Sequence, residues 1–155
     1  LGTGMVSELL RLTFDERIAL THHIAEMSAG RGAVFAGVGA ESTKQAIVYA
    51  KTAEKAGCDA VMAVPPVTTG LPEGQVVDYF CALADAISLP VIVQDASGYV
   101  GKAIPLGVYV KLLDRYGPEK IVFKPEAAPI GPNLSALRDA TGGRARIFEG
   151  SGGIL

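Results

Sequence analysis

Five short strand-like runs, alternating with segments of helical periodicity, constrain what this chain can fold into. They fall at residues 33–37, 60–64, 90–94, 120–124 and 144–149. The first four are apolar at nearly every inner position rather than alternating with polar residues, the pattern of strands covered on both faces in a parallel sheet. Their spacing is about one βαβ unit of ~30 residues. The intervening segments carry helix signals. Thr13 and Glu16 form a capping box, and a helix to about Ala29 presents Leu20, Ile24 and Met27. Ser42 and Gln45 form a second box, before a helix with Ala46, Ile47, Ala50 and Ala53 and Gly57 suited to its C′ position. A helix from about Glu73 carries Val76, Phe80, Leu83 and Ala84. Pro105 suits the first position of the next helix, and Pro132 opens the last, closed by Gly142-Gly143. The fold class is α/β. Two architectures fit: a doubly wound open sheet, or part of a (β/α)₈ TIM barrel.

Composition narrows the partners. A net charge of -2 over 155 residues offers no basic patch, which argues against nucleic acid. No apolar stretch is long enough to span a bilayer. No secretory signal is visible, so the cytoplasm is the expected location. Cys58 and Cys81 lack metal-type spacing and read as buried free thiols. His22 and His23 sit mid-helix and read as a solvated face. Gly37-Val38-Gly39 is not followed by a third glycine, so no dinucleotide-binding fingerprint is present.

In either architecture chemistry belongs at the C-terminal ends of the strands. Lys124 ends the run Ile121-Val122-Phe123 and is followed by Pro125-Glu126. Burial of an amine at such a place disfavours its charged form, and a neutral lysine amine attacks a ketone or aldehyde to form a Schiff base. The other reading is an ion pair with Glu126. Asp95, Tyr99 and Glu126 are the groups near strand tips that can move protons. Asp95 also reads as a loop cap and Tyr99 as a surface aromatic. Gly150, Gly152 and Gly153 either admit an anionic ligand to backbone amides or form a plain turn.

These segments, in this order, resemble the dihydrodipicolinate synthase / N-acetylneuraminate lyase family. Gly4-Met5-Val6-Ser7-Glu8 with Leu12-Thr13-Phe14-Asp15-Glu16-Arg17 is similar to its second-strand loop and following helix. Ala36-Gly37-Val38-Gly39 with Ser42-Thr43 matches its AGVG-x-x-ST segment. Ala56-Gly57-Cys58-Asp59-Ala60-Val61, Val64-Pro65 and Glu73-Gly74 match the fourth strand, and Leu89-Pro90-Val91-Ile92 with Gly101 the fifth. Ile121-Val122-Phe123-Lys124 with Glu126-Ala127 resembles the strand of the Schiff-base lysine.

The resemblance implies a partial (β/α)₈ barrel running from the loop after strand two through strand seven, with residues 1–155 as one incomplete domain. A whole barrel takes ~250 residues, so the chain is expected to be part of a longer polypeptide. On its own it would leave sheet edges and helix faces uncovered. The resemblance implies a lyase of aldolase, dehydratase or synthase type. Lys124 forms the imine with an α-keto acid such as pyruvate or a sugar-derived keto acid, with no cofactor and no metal. Lys124, Asp95, Tyr99 and Glu126 are the expected catalytic residues, and Ser7, Gln94, Gly150 and Ser151 the expected substrate contacts. A homo-oligomer, a tetramer by resemblance, is expected.

The departures from the family pattern are specific. Met5 and Val6 stand where it has threonines that hold a keto-acid carboxylate. Gln94 stands in place of its proton-shuttling tyrosine, Tyr99 in place of an arginine, and Pro125 intrudes between lysine and glutamate. The alternative reading is therefore a non-catalytic barrel relative that binds a small organic acid.

Overall fold

A computed structural model describes residues 8–150; Met5, Val6, Ser7 and Ser151 lie outside the described residues. After a 3₁₀ turn, Leu9–Arg11, the elements run α1 (Phe14–Ser28), β1 (Phe35–Gly37), α2 (Thr43–Lys55), β2 (Ala60–Ala63) and α3 (Glu73–Ala86). Then follow β3 (Val91–Asp95), α4 (Leu106–Tyr116), β4 (Ile121–Pro125) and α5 (Ile130–Ala140). The four strands pair in parallel in the order β1-β2-β3-β4. A doubly wound sheet reverses its order at a switch point; this one does not. The described residues form a consecutive part of a (β/α)₈ barrel.

The register sorts side chains by period two. Met62 pairs with Ile92 and Ile92 with Val122, so these share the inner face, with Ala60 and half-buried Phe35. Ala36, Val61, Val91, Val93, Ile121 and Phe123 face the helices. There they meet Phe80, Leu83, Val108, Leu112 and Leu113, all fully buried. Each such side chain contributes roughly 1.5–3 kcal/mol on burial. The helix layer is thus the main core. The helix α1 is looser: Ile18, Ile24 and Ala25 pack on the core, but Met27 is 60% exposed.

The caps follow the local chemistry. Thr13 accepts from the Glu16 amide, and Glu16 accepts from the Thr13 amide, a complete capping box. Ser42 accepts from the Gln45 amide, but the Gln45 side chain donates to Tyr49 Oη instead of closing the box. Pro105 is the N-cap of α4 rather than its first residue. Pro132 is the third residue of α5, where an N–H would have no intrahelical acceptor.

The expected fifth strand is not formed. Residues 144–149 contribute one parallel bridge, Phe123 to Ile147. Phe123 N donates to Arg146 O at 2.9 Å, and Phe148 N to Phe123 O at 2.8 Å. The rungs on either side are blocked. Ile121 N is taken by Gly117 O, and Pro125 has no N–H to donate. The polar members of the segment instead turn outward, Arg144 to Asp114 and Arg146 to Glu119.

Tyr79 ties the layers together. It is 3% exposed, packs edge-on against Phe80, and accepts from the Ala40 amide beyond β1. Burial pushes its phenol up to about 12, partly offset by the Ala40 hydrogen bond and nearby Arg17. A raised folded pKa means stability present below the unfolded value and lost as pH rises through the folded one. Between pH 10 and about 12 the chain should therefore lose about 2 kcal/mol on account of Tyr79. In denaturant titrations at stepped pH, Tyr79→Phe should be less stable than the parent at pH 8, with the gap narrowing towards pH 12. A constant gap would contradict the burial of an un-ionised phenol.

Candidate active site

The C-terminal ends of β3 and β4 build one polar cluster on the inner face. Gln94 and Lys124 are register partners, so both project to the inner side. Pro125 projects toward the helices, and Glu126 returns to the side of Lys124. The Glu126 amide donates to Asp95 O at 2.9 Å, which continues the β3–β4 ladder one step past the strand. Lys124 Nζ lies 2.8 Å from Glu126 Oε2. Gln94 Nε2 donates to the same oxygen at 2.6 Å. The Glu126 side chain is 7% exposed and that of Lys124 22%. A buried carboxylate needs such partners, since desolvation without them costs several kcal/mol. Lys124 therefore meets its ion-pair partner and keeps an exposed edge.

Gly150 closes the other side. A Cβ at this position would overlap the Glu126 carboxylate at Oε1 and Cδ. The segment that makes the single bridge to Phe123 thus ends with bare backbone against the carboxylate. Oε2 is occupied by lysine and amide, and Oε1 faces the glycine.

Asp95 does not join this cluster, contrary to expectation. Its register partner is Pro125, so it sits on the opposite face of the sheet from Lys124. It is 2% exposed. Its Oδ1 accepts from Ser97 N at 2.9 Å, and its Oδ2 from Ile104 N at 2.7 Å and Tyr109 Oη at 3.4 Å. Burial first, and the Asp95 charge second, push the Tyr109 phenol upward. Both border a cavity of about 240 Å³ between α4 and α5, lined also by Pro125, Asn133 and Leu137. Asp95 and Glu126 thus end adjacent strands without sharing a cleft. Tyr99 is 68% exposed at the tip of the following loop, without a contact to Lys124 or Glu126 among the described residues. Ser7 and Ser151 fall outside the described residues.

Arg17 is the residue that sequence reasoning passed over. It is 6% exposed, donates from Nη2 to Gly37 O at 3.1 Å and Gly39 O at 3.0 Å, and lies 3.7 Å over the Tyr49 ring. Burial lowers its pKa, with Tyr49 opposing. It fixes the tip of β1 from behind. The signal was an arginine one turn before Thr21 and two before Ile24, on the core side of α1. Among the described residues no three His, Cys, Asp or Glu side chains converge as a metal site, and no helix is long and apolar enough to cross a membrane.

This arrangement sets a lysine at the end of an inner strand of a (β/α)₈-type sheet beside a carboxylate. The chain belongs to the dihydrodipicolinate synthetase family, which matches residues 2–122 and so ends just before Lys124. It is similar to the 4-hydroxy-tetrahydrodipicolinate synthase of Desulforamulus reducens, 32% identical over 148 residues, covering 96% of this chain and 49% of that protein. The enzyme of the same name from Acidothermus cellulolyticus is 31% identical over 153 residues, covering 99% of this chain and 43% of that protein. Among solved structures, the 4-hydroxy-tetrahydrodipicolinate synthase of Methylacidiphilum fumariolicum superposes with a TM-score of 0.87 at 31% identity. It is covered over 49% of its length, and this chain over 96%. A chloride-inhibited dihydrodipicolinate synthase from Acinetobacter baumannii, complexed with pyruvate, gives 0.85 at 28%, covering 95% of this chain and 50% of that one. The chain spans about half the length of the relatives it matches.

The fit of Gly150 against Glu126 has a direct consequence. Gly150→Ala must displace a buried, doubly bonded carboxylate, an overpacking cost of about 2 kcal/mol. Chemical denaturation should register that loss, and a crystal structure of the variant should show Glu126 withdrawn from Lys124. Unchanged stability with the ion pair intact would refute the packing.

Proposed function

We propose that this chain carries the Schiff-base centre of a carbon–carbon lyase or synthase acting on an α-keto acid, pyruvate or a sugar-derived keto acid. The observation that carries the reading is the 2.8 Å contact of Lys124 Nζ with Glu126 on the inner side of the sheet. The likeness to enzymes named 4-hydroxy-tetrahydrodipicolinate synthase, and to one complexed with pyruvate, supports it.

The ion pair and the nucleophile are successive states of one pair. Glu126 takes a proton from the Lys124 ammonium, leaving a neutral amine. The amine nitrogen attacks the carbonyl carbon, and a proton passes from nitrogen to the new alkoxide to give a carbinolamine. Glu126 returns its proton to the hydroxyl, which leaves as water. The products are an iminium and a carboxylate, with the starting net charge. The iminium then acidifies the adjacent carbon for cleavage, condensation or dehydration. Glu126 fills the proton-moving role here, because Gln94 cannot ionise; Gln94 holds the carboxylate in place. Gly150, which lies against Glu126, is the proposed backbone contact for a substrate oxygen, with Ser7 and Ser151 as further proposed contacts. The reading carries no cofactor, a single incomplete barrel domain, a cytoplasmic location and a homo-oligomeric assembly.

The second reading, a relative that binds a small organic acid without turnover, is favoured by one feature: Gln94 in place of an ionisable group. Borohydride trapping separates the two. The full-length protein incubated with pyruvate or a 2-keto-3-deoxy sugar acid should gain a reduced adduct by intact mass, at Lys124. Lys124→Ala should gain none. Glu126→Gln should form it about 10²–10⁴-fold more slowly. Reversible binding of these acids without any adduct would replace the lyase reading with the binding one.

A further inference from the structure

Asp95 is the other buried carboxylate at these strand ends, and the mechanism does not use it. We infer that Asp95 is a positioning residue: it fastens both ends of the loop 96–104 and holds Glu126 by its backbone, so that the loop sets the place of the Lys124–Glu126 pair.

Three sets of contacts carry this. First, the carboxylate accepts from the amides at the two ends of the loop, Ser97 at 2.9 Å and Ile104 at 2.7 Å. The loop's own backbone bonds, Tyr99 N and Val100 N to Ala96 O, hold only its first half. Its return to α4 therefore depends on Asp95 Oδ2. Second, the backbone carbonyl of the same residue accepts from Glu126 N at 2.9 Å. Third, the loop packs on Glu126: a Cβ on Gly98 would lie 3.4 Å from the Glu126 carbonyl oxygen. One residue thus links the loop to the backbone that aims the Glu126 side chain at Lys124. Every partner of its carboxylate is a donor, so an acceptor-only group is required at both oxygens. An asparagine would set its NH₂ against one of the two amides, leaving a buried donor without an acceptor. Tyr109 Oη, at 3.4 Å, is the lesser third contact.

The rate readout rests on the Schiff-base reading, whereas amide exchange does not. In the unaltered full-length protein, the amides of Ser97, Ile104 and Glu126 should open to hydrogen exchange at one shared rate. Asp95→Asn should release all three together. It should also slow borohydride-trappable adduct formation with pyruvate about tenfold or more, at an unchanged half-saturating pyruvate concentration. Tyr79→Phe, which loses a buried hydrogen bond at another strand tip, controls for simple destabilisation. It should melt earlier, yet trap at the parent rate per folded molecule. Separate exchange rates for Glu126 and the loop amides in the unaltered protein would overturn the inference, and they decide it even if Asp95→Asn fails to fold. A variant that keeps Glu126 protection and traps like Tyr79→Phe would overturn it as well. If the unaltered protein forms no adduct, the lyase reading falls and exchange alone decides the positioning role.

Discussion

The parallel register between β3 and β4 governs everything at the candidate site. Gln94 opposite Lys124 and Asp95 opposite Pro125 is a single alignment, and a slip of one residue would exchange the two faces. Under that register the sheet divides its polar groups. An amide, a lysine and a glutamate stand on the inner side, and an aspartate stands among helices and a loop. The hydrophobic contacts of Val91, Val93, Ile121 and Phe123 with the helix layer hold the alignment. The core thereby determines which carboxylate meets the lysine.

Charge then decides what the inner cluster can be. Glu126 is the more buried partner and Lys124 the more exposed. The carboxylate is fixed by two donors and a glycine, while the ammonium is fixed by the carboxylate alone among the described contacts. Such asymmetry suits a pair in which one member moves and the other stays. In the proposed lyase the lysine leaves the pair to reach a carbonyl carbon, and Gln94 remains on the carboxylate when it does. A symmetric, fully enclosed pair would be inert, because breaking it costs several kcal/mol with nothing in exchange.

Most of the scaffold was legible because it rests on local or periodic signals. The capping box at Thr13 and Glu16, the apolar strands and Gly57 at a positive φ all follow from rules acting within a few residues. The Lys124–Glu126 pair was legible for the same reason, being two residues apart on one strand end. The placement of Asp95 was not legible, because sequence adjacency to a strand tip does not reveal the face. Only the register does, and it places Asp95 beside Tyr109, fourteen positions further along. Arg17 escaped notice because its acceptors, Gly37 O and Gly39 O, are backbone atoms and leave no mark in composition. The segment 144–149 carries Arg144, Arg146 and Glu149 among its six residues, yet nothing within it forbids a strand. What prevents it lies across the ladder, in a proline and a committed amide of β4.

That proline joins the fold to the chemistry. With an N–H at position 125, the next rung to Phe148 O would be available, and the segment could continue alongside β4. Without it the segment departs after one bridge, and Glu149 and Gly150 pass the end of the strand instead of extending the sheet. The departing backbone is what lies against Glu126, and it approaches so closely that a Cβ there would have to displace the carboxylate. Pro125 also spaces Glu126 two residues from Lys124, on the same side of the strand, where an immediate neighbour would face the helices. One residue incapable of donating a hydrogen bond thus ends the ladder, admits Gly150 and brings the carboxylate round to the lysine.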